Sequence, residues 1–116
     1  MSHHKQPPQT MRILIACSPA YRNRRAIMEA LGSIFIDTIE LNREYYYFEC
    51  PAMDEIFDDG AFNREIFHAL APDAHANLDD VWELKFTYVV VGGDDEFAAK
   101  FLSELGGGDA SLVRLA

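Results

Sequence analysis

Apolar and polar residues alternate between two periods along this chain, and each change of period marks an element. Arg12 to Cys17 is a continuous apolar run, the pattern of a parallel strand buried on both faces. After it, Ile27, Ala30, Leu31 and Ile34 share one helical face while Arg24, Arg25 and Glu29 face water. This helix has two candidate starts: Ser18 as cap with Pro19 in the first turn, or Asn23 as cap with Ser18 to Arg22 as a loop. Gly32 is the expected stop. Residues 34–41 read as a second strand with Phe35, Ile39 and Leu41 on one side. Glu44 to Cys50 reads as an aromatic strand, turned back through Asn42-Arg43 into an antiparallel hairpin and ended by Pro51.

The downstream half repeats the logic. Residues 54–60 form an acidic connector with room for one helical turn. Residues 61–71 read as a helix with Phe62, Ile66, Phe67 and Leu70 inward, stopped by Pro72. Residues 74–84 follow as a helix capped by Asp73, with Leu78, Val81 and a largely buried Trp82 inward. Phe86 to Val91 is a second buried strand. A last helix capped by Asp94 carries Phe97, Ala98, Phe101, Leu102 and Leu105 on one face. Gly106, Gly107 and Gly108 end it before a short strand at 111–115. Strand–helix units at both ends predict an α/β fold, a small three-layer sandwich on a mostly parallel sheet of four or five strands. The aromatic hairpin is the one candidate for an antiparallel edge. Right-handed crossovers bring strands 12–17 and 86–91 together in the middle. Ligands of such sheets sit at the carboxyl ends of the strands where the winding reverses. Here that point falls between loops 17–25 and 92–96.

Composition narrows the picture. A chain of 116 residues, 49% hydrophobic, is one domain over 11–116. Residues 1–10 read as a disordered arm or tag remnant, which makes His3 and His4 poor metal ligands. A net charge of −9 argues against nucleic acid as a partner, since phosphate backbones are held by clustered Lys and Arg. No apolar run reaches the ~20 residues that span a bilayer. The first ten residues lack the apolar centre of a secretory signal, so Cys17 and Cys50 are expected to be reduced thiols in a cytoplasmic protein.

Several chemical motifs fail on spacing. A cysteine phosphatase loop needs arginine six positions after its cysteine; Asn23 stands there, with Arg22 and Arg24 on either side. Cys17 reads instead as a small buried hydrophobe. A calcium loop with Gly60 at its sixth position would put Phe57 and Ile66 where oxygen ligands belong. His75 and Asp79, at i, i+4, read as a surface pair, and no metal site is expected.

Two loops keep chemical meaning. Arg22, Arg24 and Arg25 are the densest positive cluster of an acidic chain, at a helix start that offers free N–H groups to an anion. Arg25 and Glu29 are also spaced to pair with each other. Gly92 and Gly93 let backbone approach a ligand, and Asp94, Asp95 and Glu96 follow as acceptors of hydroxyls or as helix caps. The ligand-binding candidates are Ser18, Arg22, Gly92, Gly93, Asp94 and Asp95. Asp95 and Glu96 are the catalytic candidates if the cleft performs hydrolysis or glycosyl transfer. Tyr45 and Tyr47, in the aromatic run Tyr45 to Phe48, are the candidate homodimer contact.

Met11 to Gly32, with its Cys17-Ser18-Pro19 turn followed by Tyr21 and Arg22, resembles the opening of the small Rossmann-like proteins of the SLOG and DprA-like group. Val91-Gly92-Gly93, then Asp95 and Ala98-Ala99, resembles that group's second motif. The likeness covers about 45 residues. Cys17 stands where the group has glycine, and a third glycine of the second motif is missing. The resemblance implies a nucleotide or nucleotide-derived ligand between the two loops; it implies no particular cofactor. Three functions follow as expectations: a binding domain for a nucleotide or other phosphorylated small molecule, a small hydrolase or glycosyl-transfer enzyme in the same cleft, or an acidic interaction or inhibitor protein without a ligand.

Overall fold

A computed structural model describes residues 10–104 and 110–115. The expectations for residues 1–9, Leu105 and the three glycines at 106–108 lie outside them. In chain order the elements are β1 (Thr10–Cys17), α1 (Arg24–Asp37), β2 (Asn42–Tyr47), α2 (Pro51–Asp58), β3 (Phe67–Ala69), α3 (Leu78–Trp82), β4 (Tyr88–Gly92), α4 (Glu96–Glu104) and β5 (Ser111–Arg114), with short 3-10 turns at Arg64–Ile66 and Ala74–Ala76. The five strands form one sheet in the order β3-β2-β1-β4-β5, every neighbouring pair parallel. The fold is a small α/β sandwich.

The apolar run of β1 is sorted between two layers by the period of the strand. Ile13, Ile15 and Cys17 enter the layer under α1 and α2, with Ile27, Leu31, Ile34, Met53, Ile56 and Phe67. Leu14 and Ala16 enter the opposite layer, with Phe48, Leu78, Val81, Val89, Val91, Phe97 and Phe101. A strand covered on both sides has no polar face, which is why β1 and β4 read as unbroken apolar runs.

The middle of the chain departs from its sequence pattern. Helix α1 runs through Gly32 to Asp37, and the strand expected at 34–41 does not form. Ile34 is buried one turn beyond Ile27 and Leu31, so packing extends the helix past the glycine. Ile36 and Ile39, 76% and 67% exposed, are left outside the core. Gly32 is an exposed helix-interior position where an added Cβ meets nothing within 4 Å. Gly32→Ala is therefore expected to raise stability by ~0.5–1 kcal/mol, the usual cost of glycine in a helix, measurable by urea unfolding.

The aromatic strand lies parallel to β1, with Ile15 opposite Tyr47, and is flanked by β3 on its other side. It is neither an antiparallel hairpin nor an edge. Its aromatics serve both layers: Tyr45 and Tyr47 face α1 and α2, while Tyr46 and Phe48 face the other way. Tyr45 stacks on Phe67 at 4.5 Å, Tyr46 on His68 at 4.8 Å, and Tyr47 meets Phe57 edge-on at 5.3 Å. Of the aromatic run read as a dimer contact, Tyr47 and Phe48 are buried within the chain, and Tyr45 and Tyr46 are half-buried.

Pro51 does not simply end a strand; it opens α2, where a proline costs no hydrogen bond. The helix expected at 61–71 is instead the 3-10 turn and β3, with Phe67 inward and Ile66 47% exposed. The helix expected at 74–84 is broken at Asn77. His75 and Asp79 therefore lie on separate elements, and His75 Nδ1 sits 2.7 Å from the Pro72 carbonyl. Asp73 makes no side-chain cap. Trp82 is half-buried, meeting Phe86 and Phe101 edge-on. No helix among the described residues is long and apolar enough to cross a membrane.

Candidate functional site

From β1 the chain winds outward through β2 and β3, then returns to β4 on the other side of β1. The winding reverses between β1 and β4, and both strands end there, with Cys17 opposite Gly92. The Ser18 N–H extends the ladder by donating to the Gly92 carbonyl at 2.9 Å. The loops that follow the two strands are thereby fixed side by side.

The first loop is Ser18 to Asn23. Of the two helix starts compatible with the sequence, Asn23 is the one used: its Oδ1 accepts from the Ala26 N–H at 3.2 Å. The loop is closed by a bond from the Tyr21 N–H to the Ser18 carbonyl and anchored to α2 by one from the Ala52 N–H to the Tyr21 carbonyl. Tyr21 is buried, and its phenol is pushed up to about 12, chiefly by burial and then by the neighbouring Cys17 and Cys50.

The second loop is Gly93 to Asp95. Both glycines are needed for contact between the loops. A Cβ on Gly92 would lie 2.9 Å from Cys17 Sγ and from the Tyr21 ring. Gly93 has φ +113°, and a Cβ there would lie 1.9 Å from Ser18 Oγ. Asp95 caps α4, not Asp94: its Oδ1 accepts from the Ala98 N–H at 3.1 Å. The same oxygen accepts from the Ser18 hydroxyl at 2.5 Å. Ser18 is buried, and its Oγ is 3.2 Å from the Gly92 carbonyl oxygen, so its proton is directed into the junction of the loops.

These bonds hold Asp95 below the ordinary carboxylate value. The Ser18 hydroxyl has the largest effect; burial opposes it, and the N–H groups of Ala98, Asp95 and Phe97 add to it. A folded-state value below the unfolded one favours the ionised form on folding. The stabilisation is therefore present at neutral pH and is lost as the pH falls below about 4, the unfolded value, and through the lower folded value. Asp95→Asn is expected to lower the melting temperature at pH 7 and to flatten its decline toward acid, as calorimetry across pH 3–7 will show. Relief of carboxylate repulsion would raise it instead.

An open cleft of about 590 Å³ lies over this junction, lined by Ser18, Ala20, Tyr21, Arg22, Asn23, Gly93, Asp94, Asp95, Arg114 and Leu115. Five of the six ligand-binding candidates line it. Gly92 does not: it is buried beneath the cleft, under Tyr21. Glu96 does not line it either. Arg114 also lines the cleft and is not among the residues that the sequence pattern points to. It ends β5, paired in register with Val91, and the bond from the Leu115 N–H to the Val91 carbonyl carries that chain end to the rim. The available signal was a lone arginine at the carboxyl end of a strand, where ligand-facing residues collect.

The seven arginines of the chain divide sharply. Arg12 pairs with Glu44 at 2.9 Å, Arg24 with Asp59, and Arg25 with Glu29 at 3.4 Å. Arg43 donates to the carbonyls of Thr38 and Leu41, and Arg64 lies over the Phe57 ring. Only Arg22 and Arg114 have no ion pair, side-chain hydrogen bond or ring contact among the described residues, and both line the cleft. No group of three or more His, Cys, Asp and Glu among the described residues could hold a metal ion.

Comparison with known proteins returned no matching family model, no matching curated protein and no matching solved structure.

Proposed function

We propose that this domain binds a phosphorylated small molecule of the nucleoside phosphate class in the cleft between the Ser18–Asn23 and Gly93–Asp95 loops. The observation that carries the reading is that the two arginines without partners both line one cleft. A guanidinium offers a planar fork of donors that matches phosphate, and two of them at one opening form a receptor for a dianion. Asp94, exposed on the acidic side of the same cleft, accepts hydroxyl groups of a sugar. Asp95 and Ser18 hold the loops in place and are already satisfied by each other. The volume lies within the roughly 300–1,000 Å³ usual for small-molecule sites. The position at the reversal of winding, and the resemblance to the SLOG and DprA-like group at both loops, support the same ligand class.

The test is thermal unfolding against nucleoside phosphates, sugar phosphates and inorganic phosphate. A ligand at 100 times its Kd adds ~2.7 kcal/mol of stability. Arg22→Ala and Arg114→Ala are each expected to weaken the best binder by the loss of a charge-assisted hydrogen bond, ~1.5–3 kcal/mol. That is roughly ten- to a hundred-fold in affinity by calorimetry. Arg25→Ala, which removes a guanidinium already paired with Glu29, is expected to leave affinity unchanged. A panel without a binder, or equal losses from all three variants, overturns the proposal.

A further inference from the structure

Ser18 is buried yet lines the cleft, and its hydroxyl adds to a junction that other groups already make. The bond from the Ser18 N–H to the Gly92 carbonyl at 2.9 Å joins the two loops, and Asp95 caps α4 through the Ala98 N–H. The hydroxyl is a further contact, donating to Asp95 Oδ1 at 2.5 Å. Room for it depends on Gly93, where a Cβ would lie 1.9 Å from Ser18 Oγ. Ser18 and Asp95 line the same opening as Arg22 and Arg114, the two arginines that no other group among the described residues engages. A hydroxyl bonded to a carboxylate, beside two free cations, is the arrangement of a nucleophile, its base and a clamp for phosphoryl oxygens.

We propose that the cleft is a phosphomonoester hydrolase site, with Ser18 as the nucleophile, Asp95 as the base, and Arg22 and Arg114 holding the phosphoryl oxygens. This activity rests on the phosphate reading of the cleft and adds a bond-breaking step to it. Glu96, which does not line the cleft, has no part in it.

The Ser18 oxygen attacks phosphorus opposite the alcohol oxygen, and the bond from phosphorus to that oxygen breaks. The serine proton passes to Asp95, and the departing alkoxide takes a proton from a solvent water. The hydroxide left by that water then attacks the phosphoserine from the vacated side. The bond from Ser18 Oγ to phosphorus breaks, and the oxygen recovers its proton from Asp95. One phosphomonoester and one water give one alcohol and one hydrogen phosphate, with no change of oxidation state. Phosphoryl transfer runs through a loose transition state, in which the attacking hydroxyl keeps its proton until late, so a weakly basic carboxylate is enough. The two guanidinium groups offset the repulsion between that carboxylate and the incoming phosphate.

The full chain is assayed for phosphate release from 4-nitrophenyl phosphate and adenosine 5′-monophosphate, then quenched in acid during turnover and mapped by mass spectrometry. The expected results are steady release of phosphate and a Ser18 peptide heavier by one phosphoryl group. Ser18→Ala is expected to abolish both, while calorimetry still detects adenosine 5′-monophosphate, because both arginines remain. Asp95→Asn keeps an oxygen that accepts from the Ser18 hydroxyl but cannot take its proton. Its kcat is expected to fall roughly 10²–10⁴-fold with KM little changed. A purely structural role for the pair would move the melting temperature and leave no phosphoserine. Circular dichroism checks that the variants fold; if one does not, the quenched unsubstituted chain still reads the label. Binding without phosphate release, release undiminished in Ser18→Ala, or no label at Ser18 overturns the hydrolase and leaves the binding site standing. Absence of binding by every phosphate compound removes both.

Discussion

Phe101→Ala is expected to lower the free energy of unfolding by about 3–5 kcal/mol, the range for removing a buried aromatic side chain. Phe101 has 0% exposure and lies where the layer of α3 and α4 closes on the sheet. It meets Phe48 at 5.4 Å, Phe97 at 5.0 Å and Trp82 at 6.0 Å, so truncation leaves three rings facing an empty volume. The cost combines lost transfer energy with the cavity, and rings anchored on three separate elements have little freedom to collapse into it. Trp82, half-buried on the same cluster, is expected to cost less when cut to alanine, although it is the larger side chain. Denaturant unfolding of the two variants gives the comparison directly. A smaller loss at Phe101 than at Trp82 would show that the helices pack differently on this face.

Gly93→Ala is expected to be the most damaging small change at the cleft. An alanine at φ +113° is strained by about 1–3 kcal/mol. Its Cβ would also collide with Ser18 Oγ and Cβ, at 1.9 and 2.8 Å. Overpacking of this kind adds about 1–3 kcal/mol. Ser18 cannot retreat freely, because its N–H is bonded to the Gly92 carbonyl and its hydroxyl to Asp95. The expected outcome is a loss of stability of about 2–6 kcal/mol together with separation of the two loops, so ligand affinity falls even in molecules that remain folded. Gly32→Ala is the opposite case, the same substitution in open space on a helix. Measured together, the pair separates the conformational cost of glycine from its steric use.

Local order along the chain was legible at its two ends. The apolar runs of β1 and β4 are long enough and flanked by clear enough turns that no other packing suits them, and their adjacency follows from the handedness of the crossovers. The two loops of the cleft were legible for the same reason: a site at the reversal of winding needs only the two central strands to be identified. The middle of the chain was not. Residues 34–41 hold apolar residues that fit a strand face, but only Ile34 finds a place in the core, and it is reached by extending α1. Residues 61–71 carry helical spacing, yet Phe67 stacks on Tyr45, and three residues of strand are enough to reach it. Short apolar stretches satisfy both periods, so the neighbour decides.

The side of the cleft formed by Arg114 was illegible for a different reason. Its place there depends on β5 pairing with β4, which no local pattern in residues 111–115 announces. The same holds for the commitment of arginines. Spacing on one helix foretold the pair of Arg25 with Glu29, because i, i+4 contacts are local. That Arg12 is held by Glu44, 32 residues away, and Arg24 by Asp59 depends on the sheet and on the seat of α2. The chain by itself therefore determined which residues are buried in its two central strands, where those strands end, and that a basic loop meets an acidic one there. Tertiary structure alone decided the direction of the aromatic strand, the partners of the charged groups and the burial of Cys17 and Cys50 in one layer of the core. The first set follows from period and turn chemistry, which act within a few residues; the second requires chain segments tens of residues apart to settle on a common sheet.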